Sequence, residues 1–234
     1  MSSTNRPTRH SVLGTLVDRS ICMPYAKPQV IRRGHRRLRD EENGAWTTVA
    51  SIREDVAAAA GFLHTSFEAT DGTQEWSAAE LAADPAGPWW SKPRDDFFAL
   101  DSHDRDWVLD RLEETAHRAA ACLEDEAVDR GWSWIWSQPS FAQPGKVRPT
   151  ITRPDIVAGL DWKHCDLIDL KTSSQDELSR AVKPAQKKAF ASWTASMRAL
   201  RFCPERCLAL VVSTETDAWE WVESPVPESA ADGH

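Results

Sequence analysis

Between Arg153 and Ser173 the chain reads RPDIVAGLDWKHCDLIDLKTS, two half-apolar runs that each carry acidic residues among aliphatics. Burying a carboxylate without a partner is expensive, so a cation from the chain or a bound metal must offset it. On a strand, residues i and i+2 share a face, so Asp169 and Lys171 project together while Ile168 and Leu170 face the core. Asp155 falls in the preceding strand-like run, fourteen residues before Asp169, and hairpin-like pairing would set the two carboxylates side by side. Two carboxylates and an ammonium then converge. Hard oxygen donors of this kind suit Mg²⁺ or Mn²⁺, which take one or two carboxylates together with phosphate oxygens of a substrate. A lysine beside them would orient an attacking water and stabilise charge on a phosphate. The spacing therefore points to phosphodiester cleavage; the plainer alternative is an ordinary Asp169–Lys171 ion pair on an edge strand.

Positioning these groups requires a sheet and helices to hold it. From Asp101 the apolar residues Trp107, Leu109, Leu112, Ala116, Ala119, Ala120 and Leu123 recur at close to helical spacing, and Gly131 is placed to end a long amphipathic helix. GWSWIWSQPSF then alternates Trp132, Trp134 and Trp136 as on one face of a strand. VRPTITRPDIVAGL predicts a second strand and CDLIDLKTS a third. A helix starts near Pro184, where proline suits the first turn, and CLALVVSTETDAWEWVES predicts a buried strand with a hairpin partner. The order helix, strand, strand, strand, helix, strand describes an α/β sandwich around a central mixed β-sheet.

The N-terminal region reads differently. Residues 1–45 have the look of an arm or outer layer, 51–67 and 77–83 predict helices, and the Pro/Gly-punctuated stretch 84–96 predicts a loop. The expected organisation is a basic and helical region over 1–100, a core over 101–225 and a disordered tail over 226–234. VIRRGHRRLR concentrates Arg32, Arg33, Arg36 and Arg37, which would either form a solvated face or neutralise phosphates.

Composition narrows the classes. With 28 basic and 36 acidic residues in 234, a formal charge of −8 argues against wholesale nonspecific binding to nucleic acid or membrane. No apolar run of about 18 residues exists and the first residues lack a signal-peptide core, so a cytoplasmic protein without a membrane partner is expected. The five cysteines show no repeated CxxC spacing, and the default is packed, reduced thiols. Twelve tryptophans against one tyrosine are read mainly as core or groove lining.

Pro154-Asp155 followed by Asp169-Leu170-Lys171 resembles PD-(D/E)xK, the signature of the restriction-endonuclease-like nuclease superfamily. Thr172 after the lysine is most similar to the RecB-like and RecE-like (exonuclease VIII) branches. Those branches carry Q-x-x-x-Y on the next helix; here Gln186 is followed at the fourth place by Phe190, a departure from tyrosine. The resemblance covers about residues 110–215. It implies a restriction-endonuclease-like core and a Mg²⁺- or Mn²⁺-dependent DNA nuclease. The metal would be held by Asp155, Asp169 and the carbonyl of Leu170, with His117, or Glu114 one turn earlier, adding a ligand from the preceding helix. Lys171 would assist the attacking water, Gln186 would support the site or touch the phosphate, and Lys187 and Lys188 would hold the DNA backbone. Exonuclease or endonuclease action in recombination, phage defence or mobile-element processing is what such a resemblance implies, with a homo-oligomer or a larger nuclease assembly as further partners. The alternative is a catalytically silent nuclease fold that binds DNA or serves as an assembly subunit.

Overall fold

A computed structural model describes residues 6–25, 30–31, 52–68, 91–138, 140–142, 151–159, 161, 163–175 and 177–227. Five helices are described: α1 (Arg9–Cys22), α2 (Ile52–Glu68), α3 (Ser91–Phe98), α4 (Ser102–Arg130) and α5 (Pro184–Ala199). The principal sheet contains β2 (Trp134–Ser137), β5 (Ile156–Gly159), β6 (His164–Ser173), β7 (Cys203–Ser213) and β8 (Trp219–Ser224), neighbours in that order. Only β6 and β7 run parallel, joined through α5; the other pairs are antiparallel. A small second sheet has the order β1 (Val30–Ile31), β3 (Ser140–Ala142), β4 (Ile151–Thr152). The protein is thus mixed α/β, with a five-stranded mixed sheet flanked by helices.

Strand alternation sorts side chains into two apolar layers. Ile156, Ile168, Leu170, Leu208, Leu210 and Val212 face a core shared with α1, α2 and α4. Val157, Leu167 and Cys207 face the opposite side, where Trp134 and Trp136 meet Phe190, Trp193 and Met197 of α5. The longest helix, α4, begins on Asp101, whose carboxylate accepts the Asp104 N–H at 2.8 Å, and ends on Gly131 at φ 68°. That left-handed conformation is the one at which glycine closes helices.

Several expectations change. Residues 9–22 are not an outer arm: Thr8 and Ser11 cap α1 reciprocally, and Val12, Leu13, Leu16, Val17 and Ile21 are buried in the same core as α4 and the sheet. No boundary near residue 100 separates the described N-terminal helices from the rest, because Ile52, Val56, Leu63 and Phe97 belong to that core too. The stretch predicted as a loop ends in helix instead: α3 (Ser91–Phe98) takes in its residues 91–96, with Pro93 in the first turn where its missing N–H costs little. The expected second strand is two strands, β4 and β5, interrupted at Arg153–Asp155. Trp132 lies before β2 and joins the helix-covered core, so it does not share a face with Trp134 and Trp136. Arg32, Arg33, Arg36 and Arg37, the helix over 77–83 and the tail beyond 227 lie outside the described residues. Among the described residues no helix is long and apolar enough to cross a membrane.

Candidate active site

The site forms where β5 begins beside β6. Ile156 pairs with Ile168, so the antiparallel register carries Asp155 opposite Asp169, as hairpin-like pairing predicts. Asp155 turns its carboxylate across the strands and accepts the Leu170 N–H through Oδ2 at 2.8 Å. That bond lies beyond the last paired residues of β5, so the carboxylate continues the ladder that Pro154 interrupts.

Lys171 supplies the cation. Its Nζ lies 2.8 Å from Asp169 Oδ1, 2.9 Å from the Leu170 carbonyl and 3.9 Å from Asp155 Oδ2. The ammonium therefore sits among the three oxygens expected to hold a metal. Asp169 is the most enclosed, with 7% of its side chain exposed against 22% for Asp155 and 32% for Lys171, so the group opens to solvent on the Lys171 side. The second oxygen of Asp169 accepts from Gln186 Nε2 at 2.7 Å. Gln186 in turn accepts the Lys183 N–H through Oε1 at 2.7 Å, so one amide both caps the start of α5 and fixes the acid. Phe190, one turn on, is buried edge-on to Trp193 with ring centroids 5.3 Å apart. In an apolar layer a hydroxyl there would need a partner, which accounts for phenylalanine at this place.

Asp18 of α1 is the carboxylate that sequence reasoning missed. It lines a small pocket together with Gly14, Leu170, Lys171 and Thr172. Gln138 Nε2 donates to its Oδ2 at 3.1 Å and the Cys22 thiol to its Oδ1 at 3.4 Å. Gly14 permits the approach of the helix, since a Cβ there would collide with the Thr172 hydroxyl. The sequence signal is slight: Gly14, Asp18 and Cys22 form an i, i+4, i+8 strip of small and polar residues beside the apolar stripe.

Electrostatically the cluster is short of positive charge. Burial pushes the Asp155 carboxyl well above the ordinary range, and the charges of Asp18 and Asp169 push it further; Lys171 and the Leu170 N–H oppose them only in part. Burial also raises Asp18, against the opposing pull of Arg19, the Cys22 thiol and Lys171. For Lys171 burial acts to lower the pKa, but Asp169 and Asp155, with Asp18 behind them, outweigh it and raise it. Lys171 is therefore a held ammonium, suited to stabilising negative charge and unable to abstract a proton in this state. Burial likewise drives the Cys22 thiol well above its usual range, with Asp18 and Asp155 adding to it, so it acts as a neutral donor.

His117 and Glu114 do not join the site. Both are exposed on α4, and Glu114 pairs with Arg118 at 3.3 Å. His117 lies about 100° round the helix from Ala116 and away from the buried Leu112 and Ala119. Ala119 is the α4 residue that lines the pocket with Asp18. Lys187 and Lys188 are exposed at the start of α5 beside Gln186, as is Arg153 at the mouth of β5. His164 is bonded to Asp161 at 2.7 Å, which serves the β5–β6 connection.

The remaining acid of the opening motif is structural. Asp166 is fully buried in the helix-covered layer; it accepts from Trp132 Nε1 at 2.9 Å and pairs with Arg130 at 3.3 Å. Arg130 extends from the last turn of α4, so this pair ties the helix end to β6.

The donors near Lys171 fit a divalent cation in kind: two carboxylates and a carbonyl are hard oxygens, the set Mg²⁺ takes when substrate and water complete its shell. Among the described residues no group of three or more His, Cys, Asp and Glu side chains is arranged to hold a metal ion by itself. No protein-family model matches the chain, and no curated protein matches its sequence.

Proposed function

We propose that this protein is a divalent-metal-dependent deoxyribonuclease built on a restriction-endonuclease-like core. The observation that carries it is the convergence of Asp155 Oδ2, Asp169 Oδ1 and the Leu170 carbonyl on the Lys171 ammonium. A chain cation occupies a seat of three hard oxygens, and the carboxylates there are still under-compensated. In this reading Asp155, Asp169 and Leu170 are the ligands of Mg²⁺ or Mn²⁺, and Asp18 takes the place expected of His117. The cation would supply Lewis-acid charge to the phosphodiester and to the attacking water.

The chain's own groups do the rest. Gln186 Nε2 occupies Asp169 Oδ2 and leaves Oδ1 facing Lys171, while the Leu170 N–H anchors the same Asp155 oxygen, Oδ2, that lies toward Lys171. With a cation held by Asp155, Asp169 and the Leu170 carbonyl, Lys171 would offer its ammonium to the phosphate and stabilise the charge that develops on it. Lys187 and Lys188, exposed next to Gln186, and the arginines 32, 33, 36 and 37 would contact DNA phosphates.

The test is cleavage of linear, circular and single-stranded DNA with Mg²⁺, Mn²⁺ or EDTA, comparing wild type with Asp169→Ala and Lys171→Ala. Metal-dependent cleavage that falls at least about 100-fold in both variants is expected, in line with the loss of an electrostatic stabiliser. Preference for linear over circular DNA would mark an exonuclease. A second reading, a silent DNA-binding subunit, is favoured by the satisfied Lys171–Asp169 pair; DNA retention without cleavage on any substrate would select it. Cleavage that survives both substitutions would show that the active site lies elsewhere.

A further inference from the structure

We propose that Gln138 is a positioning residue of this site, its side-chain amide holding Asp18 of α1 at the mouth of β5; this rests on the reading of the site given above. Gln138 follows β2, is 7% exposed, and has φ 43°. Glycine is the ordinary occupant of that left-handed conformation, and a long side chain persists there when its surroundings hold it. The surroundings are polar and specific. The backbone N–H donates to the Asp155 carbonyl at 2.7 Å, Nε2 donates to Asp18 Oδ2 at 3.1 Å, and Oε1 accepts from Arg19 Nη1 at 3.4 Å. One residue thus touches both the strand residue that carries one acid and the helix residue that carries another.

Its neighbours join the same two elements. The Ser137 hydroxyl donates to the Cys22 carbonyl at the end of α1. The Cys22 thiol reaches the Asp155 carbonyl at 3.7 Å as well as Asp18. The left-handed turn at Gln138 directs its amide toward α1 while leaving its N–H in the sheet direction. Asp18 has reason to leave: the charge of Asp169 repels it, and its own charge and that of Asp155 repel each other. Without the amide, the carboxylate would keep the Cys22 thiol and the charge of Arg19 but lose its only side-chain amide donor among those described. It would then swing toward solvent and no longer face the seat around Lys171.

The test uses the full chain and three variants. Gln138→Gly adopts the backbone freely and keeps the N–H bond to Asp155, so it removes the amide alone. Gln138→Asn tolerates the same backbone but is one methylene short. Gln138→Glu keeps the shape and sets a carboxylate against Asp18. Hydrogen–deuterium exchange in the last turns of α1 is read on metal-free protein, and Mn²⁺ affinity is read by titration before cleavage is assayed. Exchange should rise several-fold at residues 16–22 in Gln138→Gly and Gln138→Asn while β6 and β7 stay protected. Mn²⁺ affinity should fall about 10–100-fold, the range for groups that orient a ligand, with Gln138→Glu weakest. Cleavage should recover in part when Mn²⁺ is raised. Unchanged exchange and unchanged Mn²⁺ affinity in both Gln138→Gly and Gln138→Asn would overturn the inference while wild-type binding stands. A wild type that binds no Mn²⁺ overturns the nuclease reading itself, and the inference with it.

Discussion

Asp155 pays for its place among other carboxylates, and the cost has a pH signature. Its pKa is raised in the folded protein above the ordinary 3.8 by burial and by Asp18 and Asp169. Below the unfolded value both states are protonated and nothing is lost. As pH climbs past it the unfolded chain releases the proton first, so the folded state loses stability until the raised value has been passed. Asp155→Asn removes that penalty and can still accept the Leu170 N–H. Metal-free Asp155→Asn should therefore melt a few degrees above wild type near neutral pH, at about 2–4 °C per kcal/mol for a chain of this size, with the gap closing toward about pH 4. Differential scanning fluorimetry in EDTA across that range checks it. The same variant should cleave no DNA, which separates stability from function at one residue. A gap that is constant with pH would show that repulsion at Asp155 is not the cause.

The helices and strands set which of these residues can meet. The β5–β6 register was legible, because two apolar runs with one acid each can pair in a way that aligns Asp155 with Asp169. The expected ligand His117 does not reach the site, because the apolar phase of α4, centred on Leu112, Ala116 and Ala119, turns residue 117 outward. What periodicity could not give was the partner of α1, since an amphipathic stripe states that a face is buried and not against what. Gly14 records that choice. Gly14→Ala should destabilise the protein by about 1–3 kcal/mol, the range for overpacking, and lower cleavage by displacing Asp18. In the double variant with Thr172→Ala the nearest atom to the inserted methyl is the residue 172 Cβ, at 3.5 Å, an ordinary contact. Coupling in the double-mutant cycle should accordingly be favourable by about 0.5–3 kcal/mol in thermal or denaturant unfolding. Additive losses would mean that α1 does not press on β6 at this point.

For the molecule as a whole, the helices before residue 100 and the sheet after it share one core. Val12, Leu13, Leu16, Ile52, Val56, Leu63 and Phe97 are all at most 2% exposed, and they pack in the cluster that contains Ile168, Leu170 and Leu210. A fragment spanning 101–227 would expose that entire face of the sheet and of α4. It should fail to fold cooperatively, showing dye binding and rapid limited proteolysis, and should not cleave DNA even though it keeps Asp155, Asp169 and Lys171. Cooperative unfolding of the fragment would restore the boundary that composition suggests.

The sequence by itself determined the local chemistry: the strand alternation that puts Asp169 and Lys171 on one face, the glycine stop at Gly131 and the proline start of α5. Each depends on residues a few places apart, where backbone geometry leaves few choices. Tertiary structure alone decided that Asp18 and Gln138 join the site, that Asp166 answers to Arg130 and Trp132, and that no outer arm exists over residues 9–22. Those outcomes depend on which apolar face covers which, a choice made by packing across the whole chain and written in no single spacing.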